Sequence, residues 1–393
     1  MAVPGLDALI ARGVRGKRVF VRADLNVPLA GGAITDDTRV RAALPTLQRL
    51  LRAGARVVVA SHLGRPKGKS VPALSLRPVA QRLAELLGTG VSFCEQCIGV
   101  VASRAVSELG PGQVLLLENL RFHAGEEDDD PDFAKALAEL ADFYVNDAFG
   151  TAHRAHASTA GITRYVESVA AGDLLQSELE HLRVVREPER PLLVVLGGAK
   201  VSDKLAVLEA LAPHADVLAI GGAMSYTFMA ARGESVGTSR MEPDRIEDAR
   251  RVLRAAEQSG RRLLLPTDHV VAQRIEADAR TRVVSAIPDG WMGVDIGPET
   301  AARYAAEIAR ARTLFWNGPM GVFEIPAFAA GTAHVARAAA ASSAVTVVGG
   351  GDSVAAINQL GLGDRITHLS TGGGASLEYV QGLVLPGVAA LER

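Results

Sequence analysis

Short apolar runs that end in glycine recur along this chain, and a helical pattern follows each. In the second half LLVVLGG (192–198), DVLAIGG (216–222), AVTVVGGG (344–351) and THLSTGGG (367–374) have this form, with RLLLP (262–266) and TLFWNG (313–318) among them. In the first half RVFVRA (18–23), RVVVA (56–60), VLLLE (114–118) and FYVND (143–147) read as buried strands. Helical segments separate them. Asp36-Asp37-Thr38 can cap one whose Leu44, Leu47, Leu50 and Leu51 point inward and which Gly54 closes. Near-continuous apolar strands alternating with helices imply an α/β chain built on parallel sheets with helices on both faces.

A chain of 393 residues is long enough for two or three domains. The seam falls near 172–191, where Leu174, Leu175, Leu179 and Leu182 recur at helical spacing between Gly172 and the turn Glu187-Pro188-Glu189-Arg190-Pro191. One helix there is a plausible interdomain connector. The net charge of −2 argues against a general nucleic-acid or membrane binder. Residues 1–186 carry 22 basic and 21 acidic side chains and the remainder 20 and 23, so any anion site is a local cluster. No apolar run reaches the ~18 residues of a membrane span, and the first twenty residues lack a signal-peptide pattern. Two cysteines, Cys94 and Cys97, give no disulfide framework. A cytosolic enzyme with reduced thiols is the default expectation.

Several motifs carry no chemistry on this reading. Gly64-Arg65-Pro66-Lys67-Gly68-Lys69-Ser70 has one residue too few for a phosphate-binding P-loop, and Val71-Pro72 disfavours a helix directly after it. Gly349-Gly350-Gly351 lacks the third glycine of a dinucleotide fingerprint. His153 and His156 have no acidic or cysteine partner nearby in sequence. The acidic run Glu126–Asp130 reads as a solvated loop before a helix at Pro131.

The strand ends are more informative. Lysine is scarce, six against 36 arginines, yet Lys200 and Lys204 lie four apart just after Gly197-Gly198. With a helix starting near Lys200 or Val201 they would share its face. Two cations at the positive end of a helix dipole are unfavourable unless an anion sits there. Two solvated surface lysines are the plainer alternative. Gly349-Gly350-Gly351 lets backbone N–H groups approach a ligand before a helix near Ser353. Asp352 would repel a bare phosphate; it suits a Mg²⁺ bound to one, or it caps the helix. In the first half Asp24 and Asn26, His62 and Arg65, Arg121, and Arg154 each follow a strand, and Arg39 opens a helix. Ligands of α/β sheets bind at such ends. Together the arginines point to a small, multiply charged anion.

VRADLNVPL, ITDDTRVRAALPT, SHLGRPKG, LLLENLRFHAGEE, YVNDAFGTAHRAHAST, LGGAKVSDK, GGAMSYTF, DIGPET, WNGPMGVFE, VGGGDS and STGGGASLE together resemble the phosphoglycerate kinase family over essentially the whole chain. Leu25 stands where the family usually has Phe, and Arg240 where Leu is common. The resemblance implies two Rossmann-like domains with parallel sheets: residues 1–172 for phosphoglycerate, a connecting helix over 173–187, and residues 188–375 for nucleotide. The segment from about 376 to 393 would pack back on the first domain. It implies contacts to 3-phosphoglycerate or 1,3-bisphosphoglycerate from Asp24, Leu25, Asn26, Arg39, His62, Leu63, Gly64, Arg65, Arg121 and Arg154. Lys200, Lys204, Gly293, Asn317, Glu324, Gly350, Gly351, Asp352 and Ser353 would surround ATP or ADP, with Asp352 holding Mg²⁺ and Glu324 bonding the ribose. Arg39, Lys200, Lys204, Gly350 and Gly373 would serve phosphoryl transfer. Because each domain would supply half of the charge, the domains are expected to close about the connector and Ser370–Ser376, and the family implies a monomer, here expected in the cytoplasm. A nicotinamide-dependent dehydrogenase and a non-catalytic two-lobed anion-binding protein are the alternatives.

Overall fold

In the computed structural model, which describes residues 3–392, the chain divides into two units, Met1–Glu180 together with Val384–Arg393, and His181–Leu383. The sheet of the first runs, in spatial order, Val91–Cys94, Val114–Leu117, Arg56–Ala60, Arg18–Ala23, Phe143–Asp147, Val169–Ala171, all parallel. The sheet of the second runs Arg262–Leu264, Val217–Ile220, Leu192–Leu196, Thr313–Asn317, Val345–Gly349, His368–Leu369, again all parallel. Numbered along the chain, the second order is 3-2-1-4-5-6, the doubly wound dinucleotide-fold order. In each sheet the direction of winding reverses beside the first strand. The carboxyl ends of the strands at that reversal flank a crevice.

Burial explains why the strands are readable. Leu192–Leu196 is buried at every position, as is Thr313–Asn317, so each strand is covered on both faces. Helix Thr38–Arg52 buries Val40, Ala43, Leu47 and Leu50 in the first unit's core. Thr38 N–H donates to Asp36 Oδ1 at its start, and Gly54 takes a φ of +76° just past its end. Strands with weak apolar signal escape a sequence reading. Val91–Cys94 and Val169–Ala171 are edge strands, and Arg282–Val284 is mostly exposed. The last pairs with His269–Ala272 and, through it, Met292–Ile296 in a small antiparallel sheet.

Helix Asp173–Arg186 stands where the connector is expected, and the chain leaves the first unit within it. Helix Gly374–Val380 stays with the second unit, so the return to the first begins at Val384 rather than near 376. The returning segment is held at Gly387, whose N–H donates to Ala152 O (2.8 Å) and whose carbonyl accepts from the Asn146 side chain (Nδ2, 3.1 Å). Cys94 and Cys97 are free and buried, and Cys97 Sγ donates to Glu118 O.

The start of the connector helix depends on Asp147. Its Oδ1 accepts the N–H groups of Leu174 (3.0 Å) and Leu175 (3.2 Å), while Oδ2 is buried and, among the described residues, has no hydrogen-bond partner. Burial pushes this carboxyl up to about 7, against the hydrogen bonds that favour its charged form. A folded-state value above the unfolded one gives stability that is complete below about pH 4 and is lost as the pH rises through 7. Asp147→Asn keeps an acceptor for both N–H groups and removes the charge. Urea unfolding between pH 5 and 8.5 is expected to show a flatter stability profile for the variant, the difference reaching at most about 1.4 kcal/mol per pH unit.

Candidate active site

In the second unit the reversal point is a meeting of backbones. Gly197 N–H donates to Asn317 O (3.0 Å), Gly198 N–H to Pro319 O (3.1 Å), Gly222 N–H to Met320 O (2.9 Å) and Met224 N–H to Gly198 O (3.0 Å). A Cβ on Gly222 would lie 2.6 Å from the N and O of Gly198, so only glycine lets these loops close. Above them opens a cavity of about 290 Å³, lined among others by Gly198, Tyr226, Gly293, Glu324 and Asp352. Asn317 is buried, and its Oδ1 accepts from Lys204 Nζ. Burial lowers the Lys204 ammonium, while the nearby Asp203 and Asp352 carboxylates oppose that shift. Gly350 has a φ of +88° and precedes helix Gly351–Gln359, so its first turn presents free N–H groups.

The lysine pair is not arranged as the spacing suggests. The helix begins at Leu205, with Lys204 at its N-cap, so Lys200 and Lys204 are not neighbours on one helical face. Val201 is buried, and the N–H and hydroxyl of Ser202 both donate to Glu242 (3.0 and 2.6 Å). These ties hold residues 200–203 out of the helix. Lys200 is exposed; against burial, the Ser202 hydrogen bonds and, after them, the Lys200 charge hold the Glu242 carboxyl down. Ser353 is fully buried, and its Oγ accepts Gly318 N–H at 2.6 Å. Its side chain braces the neighbouring strand end. Gly293 N–H donates to Ser239 Oγ (2.8 Å) beside the Tyr226 ring. Gly373 carries a φ of +55° immediately before helix Gly374–Val380.

In the first unit side chains do the bracing. Ser61 Oγ accepts Leu25 N–H (2.9 Å), and Asn26 Oδ1 accepts Gly64 N–H (2.9 Å). Asn119 donates to the carbonyls of Leu63 and Leu74 and accepts the N–H groups of Leu63 and Arg121. The loops after three strands are thereby joined. Leu25 and Leu63 are buried in the core, and their main-chain N–H groups are taken by Ser61 and Asn119. Asp24 Oδ2 accepts from Arg39 Nη1 at 2.5 Å, which offsets the cation at that helix start. Arg121 donates to Gly64 O (2.9 Å) and pairs with Glu127 (3.2 Å). Arg65 and Arg154 are exposed, and among the described residues their guanidinium groups have no partner.

A family model described as phosphoglycerate kinase matches residues 10–383. The chain belongs to the phosphoglycerate kinase family. Among its relatives, the phosphoglycerate kinase of Rubrobacter xylanophilus is 58% identical over 381 residues, covering 96% of each chain. That of Moorella thermoacetica is 55% identical over 381 residues, 96% of this chain and 97% of the relative. The solved structure of the Coxiella burnetii phosphoglycerate kinase superposes with a TM-score of 0.90 at 41% identity, covering 100% of this chain and 99% of the other. Membership sets aside the dehydrogenase and the non-catalytic binding protein.

Of the acidic run Glu126–Asp130, Glu127 and Asp128 are exposed and 128–130 form a turn before the helix at Pro131, but Glu126 is not solvated. Glu126 lies within the short helix Ala124–Glu127, is fully buried, and accepts from Ser158 N–H and Oγ. A buried hydroxyl and a buried arginine behind it offset the desolvation that surface exposure would avoid. Arg22, Ser61, Asn119 and Ser158 are absent from the sequence-based site. Arg22 left a readable signal, an arginine between the apolar run Val19–Val21 and Ala23 in strand RVFVRA. Lys67 and Gly68 of the P-loop look-alike both take positive φ in a turn, and a 3₁₀ segment, Pro72–Leu74, follows.

Gly222→Ala tests the backbone meeting. The added methyl would collide with Gly198 and Pro319 at a φ of +67°. It is expected to destabilise by on the order of 1–3 kcal/mol in thermal unfolding. It should also weaken ADP binding in calorimetry and leave 3-phosphoglycerate binding unchanged.

Proposed function

We propose that this chain transfers the acyl phosphate of 1,3-bisphosphoglycerate reversibly to Mg·ADP, giving 3-phosphoglycerate and ATP, as a cytoplasmic monomer. Among the described residues no helix is long and apolar enough to cross a membrane. The first unit would bind the phosphoglycerate and the second the nucleotide. What supports the reading is that each unit gathers polar and charged groups after its strands by a different chemistry. The first offers Arg39, Arg65, Arg121 and Arg154 beside Asn26 and His62. The second offers the glycine-lined cavity with Lys204, Glu324 and Asp352.

Asp352 is exposed in the first turn of helix Gly351–Gln359 and lines that cavity. One carboxylate beside a phosphate fits Mg²⁺, which keeps most of its waters and takes one or two protein carboxylates. The ion arrives with the nucleotide as part of the substrate, and when bound it screens phosphate charge.

Carboxylate is the leaving group of an acyl phosphate and needs no protonation. Catalysis therefore rests on alignment and on neutralising charge in the transferring group. Arg39, Lys200 and Lys204 would supply the cations, and the N–H groups around Gly350, Gly351 and Gly373 the fixed donors. Glu324 would bond the ribose hydroxyls.

A dehydrogenase-coupled assay with 3-phosphoglycerate and Mg·ATP should show turnover that requires both substrates; none would sink the proposal. Arg39→Ala should lower kcat by roughly 10²-fold or more, the scale of losing one transition-state donor. ADP affinity should stay at the wild-type value. A large loss of ADP binding would show that Arg39 serves the nucleotide instead.

A further inference from the structure

Beneath the strand ends of the first unit lies a buried polar cluster that the substrate contacts alone do not explain. Arg22, on the central strand Arg18–Ala23, is fully buried. Its Nε donates to Ser158 Oγ (2.7 Å), its Nη1 to Ala23 O (2.5 Å), and its Nη2 lies 3.2 Å from His62 Nδ1. Glu126 closes the cluster from the other side. Its two oxygens take the hydroxyl and the N–H of Ser158, at 2.6 and 3.0 Å, and Oε1 lies 3.9 Å from Arg22 Nη2. Tyr144 Oη donates to Ser158 O (2.7 Å) and fixes the loop that carries this serine.

The donors settle the ring. A guanidinium has five N–H donors and no acceptor. The His62 nitrogen that faces Arg22 must therefore hold a lone pair, and the ring proton sits on Nε2. Among the described residues Nε2 has no protein partner. We propose that His62 meets the substrate as an uncharged Nε2–H donor, set in that tautomer by Arg22, and that Glu126 is the positioning residue that holds Arg22 in place. This rests on the reading of His62 as a phosphoglycerate contact.

The surroundings keep the ring neutral. Arg22 from the central strand, which touches the ring, and Arg121 from the turn Leu120–Phe122, Arg39 from helix Thr38–Arg52 and His156 from the loop before Ser158 all act on it electrostatically. Each disfavours a second ring proton, and burial does so most. The facing carboxylate, Glu126, is already committed to Ser158 and Arg22. In a pocket where arginines supply the charge, a neutral N–H adds direction. It orients an acceptor oxygen of the ligand without adding to the repulsion among the cations.

Long-range proton–nitrogen NMR of the full chain, with histidine labelled by ¹⁵N, tests the tautomer. The His62 signals are identified by their loss in His62→Gln. Nδ1 is expected to be unprotonated and Nε2 protonated from pH 8 down to about 5.5, past the ordinary histidine range. An Nδ1–H tautomer, or an imidazolium at neutral pH, would overturn the proposal. Glu126→Gln tests the positioning role. It should move the His62 signals and raise KM for 3-phosphoglycerate about tenfold, the loss of one buried hydrogen bond. KM for ATP should not change. Ser158→Ala, read the same way, serves if that variant does not fold. Unmoved signals with an unchanged KM would overturn the role of Glu126. If 3-phosphoglycerate leaves the wild-type His62 signals where they are, the substrate contact is wrong, whichever tautomer the first measurement has found.

Discussion

At the reversal of strand order in a parallel sheet, two strand ends must run side by side while the chain leaves each of them for a helix. In the second unit this forces one backbone against another. Gly197 packs on Gly318 and Pro319, Gly222 on Gly198, and the N–H groups of Gly197, Gly198 and Gly222 are spent on the carbonyls of Asn317, Pro319 and Met320. A side chain at Gly222 would open the seam and dismantle the floor of the cavity. Strand burial, glycine placement and the free N–H groups of helix Gly351–Gln359 are thus parts of one constraint.

The first unit meets the same constraint with polar side chains. Ser61, Asn26 and Asn119 tie together the loops after its strands, and Arg22 with Glu126 fills the space behind them. The difference follows from the ligand each unit is proposed to hold. A nucleotide is gripped by main-chain N–H groups and a fitted cavity, which glycine provides. A small, highly charged molecule needs converging guanidinium groups, and these need a rigid polar base to hold them apart.

Much of this was legible. The buried strands declare themselves because both faces are apolar, so Arg18–Ala23 and Arg56–Ala60 have the boundaries read from the sequence. The residues that follow them are the ones that reach the candidate sites. What was illegible depends on distant partners. The late start of helix Leu205–Leu211 depends on Glu242 holding Ser202, forty residues away. The burial of Glu126 depends on Ser158, thirty-two residues on. Neither partner is visible in local composition, so an acidic run read as solvated and a lysine pair read as helical. Short strands such as Arg282–Val284 carry too few apolar positions to register.

The central claim is that the two units divide the two substrates between them, each at its own strand ends. Amide hydrogen exchange on the full chain, with one ligand present at a time, tests this most directly. Mg·ADP alone is expected to slow exchange around residues 197–204, 317–324 and 350–353 and to leave 22–26 and 61–65 unchanged. 3-Phosphoglycerate alone is expected to do the reverse. Protection of the same unit by both ligands would contradict the account.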